Sequence, residues 1–263
     1  MTIKIAVLIK QVPDTDEVKM DPETGTMVRE GVSSTANPLD LNALEEAVQL
    51  KSRFGGEVTA ISMGPPQAEA VLREAIARGA DRAVLLTDRA FAGSDTWATS
   101  VALSRALELL GPFDLVLCGE KSTDGETGQV GPEVASLMGL PFATYVRRVE
   151  VLGGAVRVER ALDEGLQTLE MPMPCLIAVT GSINVPSMPT LAGKKRARQA
   201  QVERLSAQDL GVSPDEVGLS GSPTRVVRTY RPVVKREGRR FGPRELDEAA
   251  EHVLQILRSL NLV

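Results

Sequence analysis

Short, unbroken runs of Val, Ile, Leu and Ala, each followed by a segment of helical period, constrain this chain more than any other feature. Lys4-Ile5-Ala6-Val7-Leu8-Ile9-Lys10 is apolar on successive residues, which suits a strand buried on both faces, and Pro13 marks its end. From Asp40 to Phe54 the apolar residues Leu41, Leu44, Ala47, Val48 and Leu50 recur at helical spacing until Gly55-Gly56 stops them. The alternation continues as strand Val58 to Ser62, helix Gln67 to Arg78, strand Ala83 to Leu86, helix Asp95 to Leu110 and strand Leu115 to Cys118. A βαβ series of this kind predicts an α/β fold: a twisted, mainly parallel, Rossmann-like sheet flanked by helices, with right-handed crossovers. Its ligand is expected where loops leave the carboxyl ends of the strands.

Composition agrees with that reading. The chain has 263 residues, 43% of them apolar and only 3% aromatic, so its core must be built from aliphatic side chains. No apolar run approaches the length of a membrane span, and Met1-Thr2-Ile3-Lys4 leads straight into the first strand, so neither a membrane insertion nor a signal peptide is expected. Cys118 and Cys175 each border an apolar run and read as buried, reduced thiols. Together these features predict a cytoplasmic protein.

After Pro141 the pattern changes. Val149 to Leu152, Ala155 to Ala161 and Thr168 to Glu170 alternate, with Gly153-Gly154 as a hairpin turn, and Cys175 to Val179 reads as a strand rejoining the main sheet. The compact nucleotide-binding domain is expected to span 1–180. Beyond it, Asn184-Val185-Pro186-Ser187-Met188-Pro189-Thr190-Leu191 is rich in proline, and a basic tract follows. Lys194 to Arg240 holds twelve Lys and Arg against five Asp and Glu, a local +7 that leaves −12 elsewhere in a chain of net −5. Because Tyr230 is the only aromatic there before Phe241, a base-stacking nucleic-acid surface is not expected, and docking on an acidic protein is the better reading. Residues 181–263 are thus expected to form an extended arm. It ends in an amphipathic helix, Pro243 to Leu260, with Leu246, Ala249, Ala250, Val253, Leu254 and Leu257 on one face.

The richest loop is Gly119 to Pro132, between a strand and a helix expected at Glu133 to Met138. Its glycines let backbone amides approach an anion, its hydroxyls donate, and the helix behind it presents a positive end. It reads as a phosphate cradle, although it is neither a Walker loop nor a Gly-x-Gly-x-x-Gly turn. Asp124, Thr127 and Gln129 are expected to line the site, with the Asp124 carboxylate shaping the loop and not meeting the phosphate, since two anions repel. Asn37-Pro38-Leu39-Asp40 has the form of a helix cap, and Asn37 and Asp40 could also reach an adenosine. Met63-Gly64-Pro65 and Gly93-Ser94-Asp95-Thr96 read as turns or caps. The sole histidine, His252, falls in the terminal helix as a surface residue, and the two distant cysteines lack zinc spacing, so hydrolytic and metal chemistry find no support.

Val7 to Asp14, Asn37 to Asp40, Gly79-Ala80-Asp81-Arg82, Asp124 to Pro132 and Pro186 to Lys195, in that order, resemble the electron transfer flavoprotein β subunit, and the resemblance spans essentially the whole chain. It implies an adenine-nucleotide-hydrolase-like variant of the fold. It also implies a heterodimer with an α subunit that mainly holds an FAD shared between the two. That pair would pass electrons, in fatty acid oxidation among other settings, from acyl-CoA and other dehydrogenases to a quinone oxidoreductase. Such a subunit is a carrier and not an enzyme in itself. Carried over, the family's AMP site falls on Leu8, Asn37, Pro38, Leu39, Asp40, Met63, Gly119, Ser122, Thr123, Asp124, Gly125, Glu126, Thr127, Gly128, Gln129 and Val130. Its partner-recognition loop falls on Pro186 to Arg196, with Leu191 as the anchor and Lys194, Lys195 and Arg196 as an electrostatic collar; a Leu191 tucked onto its own domain is the plain alternative. The chain departs from some members in carrying Thr15 and Leu39 where they place aromatics near the flavin. Ala92 to Ser100 and the Asp124 loop are also similar to members that bifurcate electrons and hold a second FAD in place of AMP. That alternative stays open, as does an adenine-nucleotide-sensing module without a redox role.

Overall fold

A computed structural model of the protein describes residues 2–14, 33–227 and 238–263. In chain order, β1 (Ile3–Leu8), β2 (Gln11–Pro13) and β3 (Ser34–Ala36) lead into α1 (Pro38–Phe54), followed by β4 (Gly56–Met63), α2 (Glu69–Arg78), β5 (Arg82–Leu86), α3 (Thr96–Leu110), β6 (Leu115–Gly119) and α4 (Val130–Leu137). Four strands come next, β7 (Phe142–Val151), β8 (Ala155–Leu162), β9 (Gly165–Pro172) and β10 (Cys175–Val179). α5 (Leu191–Gln199), β11 (Glu203–Leu205), α6 (Gly218–Gly221) and α7 (Leu246–Ser259) complete the sequence of elements.

The main sheet has nine strands in the order β11-β5-β4-β1-β6-β10-β7-β8-β9. From β11 to β7 every pairing is parallel, and β7-β8-β9 closes the far edge as an antiparallel meander. Continuous apolar strands are what this arrangement requires, because helices cover both faces. Ile3, Ile5 and Val7 point into a cluster with Leu44 and Ala47 of α1 and Leu72 and Ile76 of α2, while Ala6 and Leu8 point into a second cluster with Leu103 and Leu107 of α3 and Val134 of α4. The expected α/β architecture is therefore present, and Cys118 and Cys175 are both buried free thiols.

Three details differ from the sequence reading. β7 is longer than Val149 to Leu152 because a register shift between Val146 and Arg148 breaks the alternation that would have revealed its start. β9 extends on both sides of Thr168 to Glu170; as an edge strand it is exposed at most positions and leaves little periodic signal. The third difference is the largest. The compact unit does not end near Thr180 but runs to Val227, with a separate unit from Arg228 onward. β11 adds to the sheet edge beside β5, and Leu205, Leu210, Val212 and Val217 enter the second core cluster. The start of the basic tract is not extended but forms α5, in which Ala197 is the buried residue, so charge masked the helix. In the second unit α7 buries none of its side chains; Leu246, Val253, Leu254, Ile256 and Leu260 are all exposed. His252 lies against Phe241, with ring centroids 5.7 Å apart. No helix among the described residues is long and apolar enough to cross a membrane.

Candidate functional site

From β1 the chain moves outward through β4 to β5 and then returns to β6 on the other side of β1. The loops leaving β1 and β6 consequently diverge to opposite faces, which opens a crevice beyond their carboxyl ends, the usual ligand position in such sheets. Leu8, Asn37 to Asp40 and Gly119 to Gln129 all converge on this point. Met63 ends β4 next door, half-buried against the second core cluster, as does Val130 at the start of α4.

Asn37 and Asp40 shape the crevice from within. Pro38 opens α1, where its missing N–H costs nothing. The Asn37 side chain does not cap that helix, as the sequence suggested it would. Instead its Nδ2 donates to the Lys121 carbonyl at 2.9 Å and its Oδ1 accepts from the Thr123 N–H at 3.3 Å, so it holds the loop after β6. The buried Asp40 carboxylate accepts from the Lys10 N–H at 2.8 Å and the Gly119 N–H at 3.0 Å, clasping the ends of β1 and β6 together. Burial pushes its carboxyl up to about 6, against the opposing pull of these amides and Asn37. This approach needs glycine at 119, where a Cβ would sit 2.6 Å from Asp40 Oδ1 and 2.7 Å from the Leu39 Cβ.

The loop itself presents backbone to solvent. Gly125, Glu126 and Thr127 are exposed, and Glu126 and Gly128 adopt φ of 53° and 64°. The Glu126 N–H bonds to the Ser122 carbonyl, whereas the N–H groups of Thr127, Gly128 and Gln129 have no partner among the described residues. These amides lie at the amino end of α4, which starts at Val130 and not at Glu133. Unpaired amides at a helix start form a setting for an anion. Glu133, in the first turn, is engaged elsewhere: it accepts from Thr96 Oγ1 at 3.1 Å and Ser100 Oγ at 3.0 Å. Asp124 turns to Lys10, whose ammonium lies 2.7 Å from Oδ1. Gly131 serves packing, since a Cβ there would stand 2.9 Å from Cys118 Sγ. The sequence reading passed over Lys10; its signal was a lysine placed directly at the carboxyl end of the strand where the topology switches.

A model of the electron transfer flavoprotein domain matches residues 24–210. The chain is 49% identical over 262 residues to an electron transfer flavoprotein subunit β of Thermoanaerobacterium thermosaccharolyticum, covering 99% of this chain and all of that one. The chain belongs to the electron transfer flavoprotein β-subunit family. It is also 40% identical, over 99% of its length and all of the relative's, to the caffeyl-CoA reductase–Etf complex subunit CarD of Acetobacterium woodii. With protein FixA of Bradyrhizobium diazoefficiens it shares 45% identity over 88% of this chain and 83% of the relative.

Away from the crevice, the segment that resembles the recognition loop of electron transfer flavoproteins is pinned onto α1 and α2. Asn184 donates to Glu46 Oε2 at 3.2 Å and exchanges further bonds with Asn42, Ser187 binds Glu45 through its N–H at 2.9 Å, and Arg78 reaches the Ser187 carbonyl at 2.6 Å. Thr190 caps α5, accepting from the Gly193 N–H at 2.9 Å. Gly193 lets α5 touch α2, because a Cβ there would run into the Ala77 carbonyl oxygen. On this rigid base Leu191 and Val185 are each 87% exposed and Met188 is 80% exposed, so Leu191 is not tucked onto its own domain. Lys194 and Lys195 are exposed beside it, but Arg196 differs from the expected collar: its guanidinium donates to the Ile76 carbonyl at 2.6 Å and fastens α5 to the end of α2. Thr15 lies outside the described residues. Asp95 caps α3 by accepting from the Ala98 N–H at 3.1 Å, in line with the turn-and-cap reading of that segment.

Proposed function

We propose that this chain is the β subunit of a heterodimeric electron transfer flavoprotein, carrying electrons from acyl-CoA and other dehydrogenases toward a quinone oxidoreductase, with a structural AMP in the crevice between β1 and β6. The observation that carries the proposal is the set of unpaired amides at Thr127 to Gln129, at the start of α4 and at the topological switch point. An adenylate phosphate fits that set, and the Thr127 hydroxyl and Gln129 side chain are exposed at the same place. FAD, held mainly by the α subunit, supplies the redox chemistry when bound. This chain's own contribution is to order the loop through Asn37, Asp40 and Lys10 and to present Leu191, with Lys194 and Lys195, to passing dehydrogenases. The chain itself acts as a carrier component in the cytoplasm, without a catalytic residue of its own.

A second reading places another FAD where AMP is proposed and makes the pair electron-bifurcating. It is favoured by Ala92 to Ser100 and the Asp124 loop, which resemble the corresponding segments of bifurcating members of the family. The test of the carrier role is functional. The chain is co-expressed with its α subunit, and an acyl-CoA dehydrogenase with its substrate is added. Bleaching of the bound flavin in the absence of any other acceptor supports the proposal; a purified pair without flavin overturns it.

A further inference from the structure

Lys10 joins three pieces of the crevice at once. Its N–H donates to Asp40 at 2.8 Å, its carbonyl accepts from the Asn37 N–H at 2.9 Å, and its ammonium lies 2.7 Å from Asp124 Oδ1 and 3.3 Å from Ser122 Oγ. The Asp124 side chain is 11% exposed and that of Lys10 48%, so the carboxylate is largely sheltered while the ammonium stays open to the crevice. The loop is anionic before any ligand arrives: Glu120, Asp124 and Glu126 stand against Lys121, which faces Glu126 at 3.6 Å. A phosphate approaching the amides of Thr127 to Gln129, further along the same loop, therefore comes into the field of a carboxylate whose charge only Lys10 offsets at contact distance among the described residues. Burial raises the Asp124 carboxyl, yet the hydrogen bond and charge of Lys10, with Ser122, hold it below the usual carboxylate range.

We infer that Lys10 is a positioning residue for an adenylate phosphate: its ammonium cancels and orients Asp124, so that the loop accepts an anion. The inference rests on the adenylate site proposed above. It predicts a dependence on the phosphate and not on the nucleoside, because adenosine places no charge near Asp124.

The test uses the full heterodimer, freed of bound nucleotide, with AMP, adenosine and FAD as probes in calorimetric titration. Lys10→Met lowers affinity for AMP by about tenfold or more and for adenosine by less than about threefold. Adding Asp124→Asn to Lys10→Met restores most of the lost AMP affinity, and Lys10→Arg, which keeps the charge, stays close to the parent. Equal losses for AMP and adenosine, or no recovery in the double variant, overturn the inference and leave Lys10 a loop brace only. If the parent complex takes FAD in place of AMP, a Lys10-dependent loss for FAD upholds the inference while overturning the AMP assignment. A parent complex that binds none of the three probes overturns the adenylate site and this inference with it.

Discussion

Asp40 carries an unusual burden for a carboxylate, since it is buried at the junction of β1 and β6 with two backbone amides as partners. Its folded value of about 6 lies above the unfolded value near 3.9, so the folded state binds the proton more tightly. Its contribution to stability is full below about pH 4 and is lost as pH rises through about 6, with a ceiling of about 3 kcal/mol. Urea unfolding of the parent and of Asp40→Asn between pH 4 and 7.5 checks this: the parent loses stability relative to the variant across that window, and parallel curves would contradict it. Gly119→Ala forces a Cβ against Asp40 and Leu39 and is expected to cost about 1–3 kcal/mol in the same assay. Neither role was legible in the sequence. Asn37-Pro38-Leu39-Asp40 has the pattern of a cap, and a pattern does not show that both polar side chains reach across to residues more than seventy positions away.

Among the elements, those with a hydrophobic period were legible and those without one were not. β1, α1, β4 and β6 announce themselves because both faces of the sheet are covered and aliphatic runs result. α5 does not, because it lies on α2 through a glycine contact, one buried alanine and arginine hydrogen bonds to backbone carbonyls, none of which leaves an apolar stripe. Its placement sharpens the role proposed for Leu191, the first residue of that helix. Leu191→Ala removes an 87% exposed side chain, so thermal stability and flavin content should be unchanged. Apparent affinity for a dehydrogenase partner should fall more than tenfold, as for the loss of an interface anchor of about 2 kcal/mol. Steady-state electron transfer at varied carrier concentration measures this, and added salt should weaken the same encounter through Lys194 and Lys195. A drop in melting temperature with unchanged partner kinetics would show that Leu191 packs at home.

The whole molecule divides into a compact unit through Val227 and a second unit whose long helix is amphipathic and exposed along its apolar face. A helix of that kind suits a chain that works in an assembly, in agreement with the family to which the chain belongs. The fold class and the position of the crevice follow from the order of strands and helices alone; the loop amides and Lys10, on which the proposed nucleotide site rests, are brought together only by the folded arrangement. Extraction and quantitation of nucleotides from the purified heterodimer tests the central claim most directly. AMP and FAD in equal amounts are predicted, whereas FAD in excess over the heterodimer with AMP absent would contradict the assignment of the β1–β6 crevice to AMP.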